Sequence, residues 1–126
     1  MISKVRNNKA AFTLVEIMIV VAIIGLLAAL AIPGFVKARK QSQGRRIIND
    51  ARQMDAAVDQ WALENGKKDG DTVDTTAAAT YLKTAWNAND LLNNAYTING
   101  VGTNQVQISG TTKSALQGVG IDWGPY

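Results

Sequence analysis

The chain has 126 residues, with thirteen Lys and Arg against ten Asp and Glu for a formal charge of +3, and neither cysteine nor histidine. Lacking histidine, it lacks the commonest general base and transition-metal ligand; lacking cysteine, it has no disulfide to staple a small domain. Lys4, Arg6 and Lys9 lie in the first ten positions and leave ten basic side chains against ten acidic ones elsewhere, so the basic balance is no argument for nucleic acid.

The opening stretch, MISKVRNNKAA, is short, basic and polar, with no apolar core of its own. From Phe12 to Val36 the character reverses, and between Ile17 and Ile32 there is no charged or strongly polar side chain. As a helix this segment is roughly 37 Å long at about 1.5 Å per residue, enough to cross a hydrocarbon core of about 30 Å. A soluble core helix would keep a polar face. Two features set the run apart from a plain anchor. Glu16 stands at its polar mouth, where a carboxylate entering lipid costs on the order of 3 kcal/mol. Pro33 withholds an N–H from the carbonyl of Ala29 and Gly25 weakens the helix earlier, so a kink is expected at this pair.

The basic leader, then Ala11-Phe12-Thr13-Leu14-Val15-Glu16, then an unbroken apolar run, resembles the prepilin signal of type IV pilins and type II secretion pseudopilins. The resemblance is strong over Met1 to about Ala38 and weak beyond. It implies cleavage by a prepilin peptidase between Ala11 and Phe12 and N-methylation of Phe12, with Ala11 where the family usually has Gly. It also implies that Glu16 serves subunit assembly, facing the Phe12 amine of a neighbour in a polymer. An ordinary secretory peptide with Ile17–Ile32 as its apolar region is the competing reading, with Ala29-Leu30-Ala31 as its best processing site.

Lys37, Arg39, Lys40, Arg45 and Arg46 follow without an intervening acid, five positive charges against three on the leader side, so charge asymmetry alone does not orient the span. They suit either a solvated helix face or anionic lipid head groups. From Gly44 to Asn65 the pattern is amphipathic: Ile47, Ala51, Met54, Val58 and Trp61 recur at spacings of four and three, a stripe that packs helix against head. Arg46 and Asp50 are placed to pair at i,i+4. Asn65-Gly66 ends the helix, which therefore runs from Phe12 to about Glu64.

Beyond it, Asp69, Asp71 and Asp74 offer clustered oxygens for calcium, but without a loop template they are weak metal candidates, and Asp74 fits better as N-cap of a helix over Thr75–Lys83. Residues 87–94 read as loop. Tyr96–Ile98 and Gln105–Ser109 read as strands joined by a connection longer than two residues, Gly110 closing the second. Ala115-Leu116 and Val119–Trp123 are candidates for a third, edge-like segment. No nucleophile–base arrangement or phosphate loop is legible, and neither catalysis nor a cofactor is expected.

The fold class is α+β, a long N-terminal helix packed against a small antiparallel head. The expected organisation is a leader over 1–11, an assembly helix over 12–36, its amphipathic continuation over 37–65 and a head over 66–126. The resemblance implies a structural subunit that polymerises with itself and related minor subunits, into either a pilus or a pseudopilus. Its implied partners are the prepilin peptidase, an inner-membrane assembly platform and membrane lipid, with no nucleic acid. Its implied place is the bacterial inner membrane with the head outside the cytoplasm, then a surface pilus or periplasmic pseudopilus. A membrane-anchored or secreted small binding domain that never polymerises is the alternative.

Overall fold

The computed structural model describes residues 11–126; the leader, with Lys4, Arg6 and Lys9, lies outside the described residues except for Ala11. The chain divides into two units with the boundary between Val36 and Lys37. Helix α1, Leu14–Glu64, contributes to both.

In the first unit α1 continues through Gly25 and Pro33 without a break. The weak points expected at Gly25 and Pro33 do not interrupt the helix. Almost every large side chain of this unit faces outward, from Phe12 at 78% exposure to Leu30 at 81%.

In the second unit, Lys37–Tyr126, the period of the apolar residues takes over. Ile47, Ala51, Met54, Val58 and Trp61 are all buried, and Ile48, Ala57 and Ala62 widen the buried face beyond the single stripe. The helix stops at Asn65-Gly66 for a local reason. Gly66 takes a left-handed φ of 61° and Lys67 N–H reaches back to the Ala62 carbonyl at 2.9 Å, which satisfies a carbonyl the helix would leave open; Asn65 Nδ2 adds a second donor at 2.8 Å to the Trp61 carbonyl, which already accepts from Asn65 N–H.

Helix α2 spans Thr75–Ala79, with the Asp74 side chain accepting from the amides of Thr76 and Ala77 at 3.0 and 3.1 Å. It is shorter than the Thr75–Lys83 expected. Tyr81 and Leu82 close tighter turns onto Ala78 and Ala79 instead, since both side chains pack into the core. Strands β1, Thr97–Ile98, and β2, Val106–Gln107, are antiparallel, with Thr97 opposite Gln107 and Ile98 opposite Val106. Both are shorter than the alternation suggests. Their connection pairs elsewhere: Val101 N–H donates to the Asp71 carbonyl at 2.9 Å and Gly70 N–H to the Val101 carbonyl at 2.8 Å.

The expected edge strand does not form. Gly110 opens a helix, α3, Gly110–Ala115, rather than closing a strand, because the Ser109 hydroxyl accepts from Thr111 N–H at 3.2 Å and caps it. The last residues then run as an irregular strap along α1, broken by left-handed backbone at Gly118, Gly120 and Gly124. Gln41 Nε2 donates to the Val119 carbonyl at 2.8 Å, and Gln107 Nε2 to that of Pro125 at 2.7 Å. Ile121 sits where a side chain on Gly44 would be, since a Cβ there would lie 2.3 Å from its Cδ1.

One core cluster gathers Ile47, Ile48, Ala51 and Met54 with Tyr96, Val106, Ile108 and Leu116. A second joins Val58, Trp61 and Ala62 to Ala78 and Val101. The chain is thus α+β, its long helix covered over the second unit by a two-stranded sheet and irregular segments.

Candidate functional site

The first unit is an apolar rod with a polar start. Its apolar window is long and apolar enough to cross a bilayer, and none of it is buried inside the fold. At its mouth Thr13 and Glu16 hold each other reciprocally: Thr13 N–H donates to Glu16 Oε2 at 3.3 Å and Glu16 N–H to Thr13 Oγ1 at 3.2 Å. This is a capping box, which satisfies two amides that the first turn leaves open. The Thr-x-x-Glu spacing of Thr13 and Glu16 is the sequence signal for this cap, a local role for Glu16 beside its expected ones as a membrane-boundary charge and an assembly residue. The carboxylate therefore has a local partner even before any new amine exists, and helix polarity favours its charge there. Phe12, Glu16, Ile17 and Val20 line an open, almost wholly apolar notch of about 490 Å³ beside it.

In the second unit the informative polar groups are structural. Gln105, 1% exposed, spans the gap to α1: its Nε2 donates to the Asp55 carbonyl at 3.1 Å and to Asp59 Oδ1 at 2.7 Å, and its Oε1 accepts from Gly102 N–H at 3.2 Å. Asp90 is buried and organises the 87–94 loop. Its Oδ1 accepts from Leu92 and Asn94 amides at 2.9 and 3.0 Å, while Thr112 Oγ1 donates to its Oδ2. The contacts that tie these residues to the rest of the fold, Gln105 to Asp55 and Asp59 and Asp90 to Thr112, come from distant parts of the chain, which the local pattern does not show. Tyr96 ends in the core with its hydroxyl unpartnered, and burial pushes that hydroxyl's pKa well above the ordinary tyrosine value. Burial also raises the Asp55 carboxyl, outweighing the Gln105 hydrogen bond that lowers it.

The acidic candidates do not converge. Asp74 caps α2, Asp71 Oδ2 accepts from Lys68 N–H at 2.8 Å, and among the described residues no group of three or more potential ligands could hold a metal ion.

The family model of the prokaryotic N-terminal methylation motif matches residues 6–32. The type IV major fimbrial protein FimA of Dichelobacter nodosus is 42% identical over 64 residues, 51% of this chain and 40% of that protein. The type II secretion system core protein G of Klebsiella michiganensis is 31% identical over 62 residues, 49% and 44% of the two chains. Fimbrial protein EcpC of Eikenella corrodens is 34% identical over 110 residues, covering 87% of this chain and 67% of its own. The chain belongs to the type IV pilin and pseudopilin family. In this pilin-family chain the motif takes in Ala11, Phe12, Glu16 and Gly25 and stops one residue before Pro33. The chain spans less than half the length of the first curated relatives it matches. No solved structure matches it.

Proposed function

We propose that this chain is a structural, non-catalytic subunit of a type IV pilus or a type II secretion pseudopilus. It is cut between Ala11 and Phe12, N-methylated on Phe12, held in the inner membrane by its N-terminal helix with the head outside the cytoplasm, and polymerised through that helix. The observation that carries this reading is the outward-facing apolar surface of residues 12–36 with one carboxylate, Glu16, at its mouth. In lipid such a helix gains nothing by remaining alone, since packing against like helices exchanges lipid contacts for protein ones. Family membership supplies the direction: the relatives bear the names of fimbrial and secretion-system core proteins.

Cleavage creates an ammonium on Phe12 one turn before Glu16. In the low dielectric of a helix bundle each of those charges costs more alone than paired, so a subunit entering the polymer presents its amine to the carboxylate of a neighbour. The capping box gives Glu16 a defined starting geometry from which that exchange occurs. Prepilin peptidase, an assembly platform and related minor subunits are the partners this cycle requires. Pro33, with Gly25, provides a place where the helix can lose hydrogen bonds when the polymer packs or stretches.

N-terminal sequencing and intact mass of the native protein test the reading. Methylated Phe12 at the N-terminus is expected. An intact Met1 on working protein, or a start after Ala31, overturns it in favour of an anchored or a secreted domain. In the same host, Glu16→Ala is expected to be cut and methylated normally yet to enter filaments poorly; unimpaired assembly would remove Glu16 from the proposed pairing.

A further inference from the structure

Two asparagines of this chain are followed directly by glycine, Asn65 before Gly66 and Asn99 before Gly100. An asparagine in that position carries the most reactive primary amide a protein offers. The backbone nitrogen of the next residue can attack the side-chain carbonyl carbon and close a five-membered ring, and glycine puts no side chain in the way. Ring closure needs the backbone on either side of the pair to turn, so the cost of opening that segment of the fold sets the rate.

Asn99 is held by backbone and side chain alike. Its N–H donates to the Gln105 carbonyl at 2.8 Å and its Nδ2 to the Asn104 carbonyl at 2.9 Å. Beyond Gly100, Val101 is bonded to Asp71 and Gly70 through its N–H and carbonyl, and its side chain is part of the second core cluster. Gly100 itself is cradled, since a Cβ on it would lie 3.0 Å from the Gly70 carbonyl oxygen. Turning Asn99 therefore lifts the connection between the strands off residues 70 and 71 and draws Val101 out of the core.

Asn65 stands in open surroundings. Every residue from Leu63 to Thr72 is exposed, and a Cβ on Gly66 would meet nothing within 4 Å. The nucleophile, Gly66 N–H, donates to no acceptor among the described residues. What fixes this end is local: Asn65 N–H and Nδ2 to the Trp61 carbonyl at 3.0 and 2.8 Å, and Lys67 N–H to the Ala62 carbonyl at 2.9 Å. These bonds belong to the last turn of α1, and a helix end frays more readily than a packed connection opens. No remote segment has to move.

We infer that Asn65 is a site of spontaneous, irreversible modification, losing its side-chain amide through a cyclic imide formed with Gly66, and that the fold shields Asn99 from the same reaction. In the first step the bond from Gly66 N to Asn65 Cγ forms as the Cγ–Nδ2 bond breaks. The Gly66 amide proton leaves with Nδ2 as ammonia, and nothing is oxidised or reduced. Water then adds to one ring carbonyl and breaks its bond to nitrogen, which takes up the proton. Opening at Cγ leaves an ordinary aspartate at position 65, and opening at the backbone carbonyl leaves its β-linked isomer. Either product puts a carboxylate at the negative end of α1, beside Glu64, where helix polarity disfavours it. The Trp61 carbonyl loses its second donor. The β-linked isomer also lengthens the backbone between Ala62 and Lys67, whose hydrogen bond closes the helix. That turn carries Trp61 and Ala62 of the second core cluster, and the Lys67 ammonium lies 5.5 Å from the Trp61 ring centroid. Ageing copies thus acquire a charged, loosened end to α1.

The two sites can be read separately in one sample. Trypsin cuts after Arg52 and Lys67, and after Lys83 and Lys113, so Asn65 and Asn99 fall in different peptides, and Asn65 is the sole asparagine of its own. The full chain is held folded in detergent at neutral pH over days, then digested and followed by mass spectrometry, with a second portion unfolded in urea. In the folded chain Asn65 is expected to convert about tenfold faster than Asn99, and in urea the two rates should come within about twofold of each other. The Asn65 peptide should yield two acidic products, one of them co-eluting with the same peptide from Asn65→Asp. Equal rates in the folded chain, or Asn99 leading, would overturn the inference. So would an Asn65 that stays intact when folded while the unfolded chain converts, since the helix end would then protect it. A tenfold difference that persists in urea would overturn the shielding of Asn99, because the fold would not be its cause.

Discussion

Replacing Gln105 by Met tests whether one buried amide holds the head to α1. Met fills nearly the same volume but makes none of the three hydrogen bonds of Gln105: to the Asp55 carbonyl, to Asp59 Oδ1 and from Gly102 N–H. A neutral bond contributes about 1 kcal/mol net and one to a charged group about 2, so the set is worth about 4 kcal/mol. Asp59 is exposed and recovers water, which returns part of its share. The expected loss is about 3 kcal/mol, a large fraction of the 5–15 kcal/mol typical of a domain. Trp61, Trp86 and Trp123 are the chain's three tryptophans and all lie in the second unit, so tryptophan emission of the full chain in detergent reports head unfolding alone. With a urea dependence of about 1.5 kcal/mol per molar, the midpoint should fall by about 2 M. A double-mutant cycle with Asp59→Ala should show about 1 kcal/mol of coupling. A midpoint within about 0.3 M of the parent, or a loss of the same size in the Asp59→Ala background, would refute the bridging role.

Other outcomes follow from single groups. Tyr96→Phe removes a buried hydroxyl that has no partner, so it should stabilise the head by about 1 kcal/mol in the same unfolding assay; a loss of similar size would mean that the hydroxyl is satisfied. Asp55 binds its proton more tightly folded than unfolded, its carboxyl being raised above 3.8, so its contribution to stability falls as pH climbs from the unfolded value through the folded one. Asp55→Asn should therefore stabilise the head at pH 7, with the advantage vanishing below about pH 4; an advantage independent of pH would point to another cause. Thr13→Ala breaks one arm of the capping box, worth about 1 kcal/mol, and should speed amide exchange over the first turn of α1 about fivefold in detergent. Unchanged exchange there would show that the cap does not hold this end.

Two kinds of residue behaved differently under sequence reading. The apolar run of 12–36 and the stripe of Ile47, Ala51, Met54, Val58 and Trp61 declare themselves through periodicity, which is a local property of neighbours along one helix. Asp74 before α2 and Asn65-Gly66 after α1 are equally local, each satisfying backbone groups a few residues away. Ser109 carries the same kind of signal, yet the alternation of residues 105–109 outranked it and hid α3. The capping spacing of Thr13 is just as local, but in the sequence it lies beneath the stronger signal of the Glu16 charge.

By itself, the order of residues determined that this chain builds one long helix, where that helix turns from lipid-compatible to amphipathic, and where it ends. Hydrophobic period and end-capping act over one or two turns, so no distant partner had a say. Tertiary structure alone decided that the last residues lie as a strap over Gly44 rather than as a strand, that Gln105 reaches α1 across some fifty positions of sequence, and that Asp90 meets Thr112. Those choices depend on which polar groups are carried out of water together, and that is settled only when remote segments share one core.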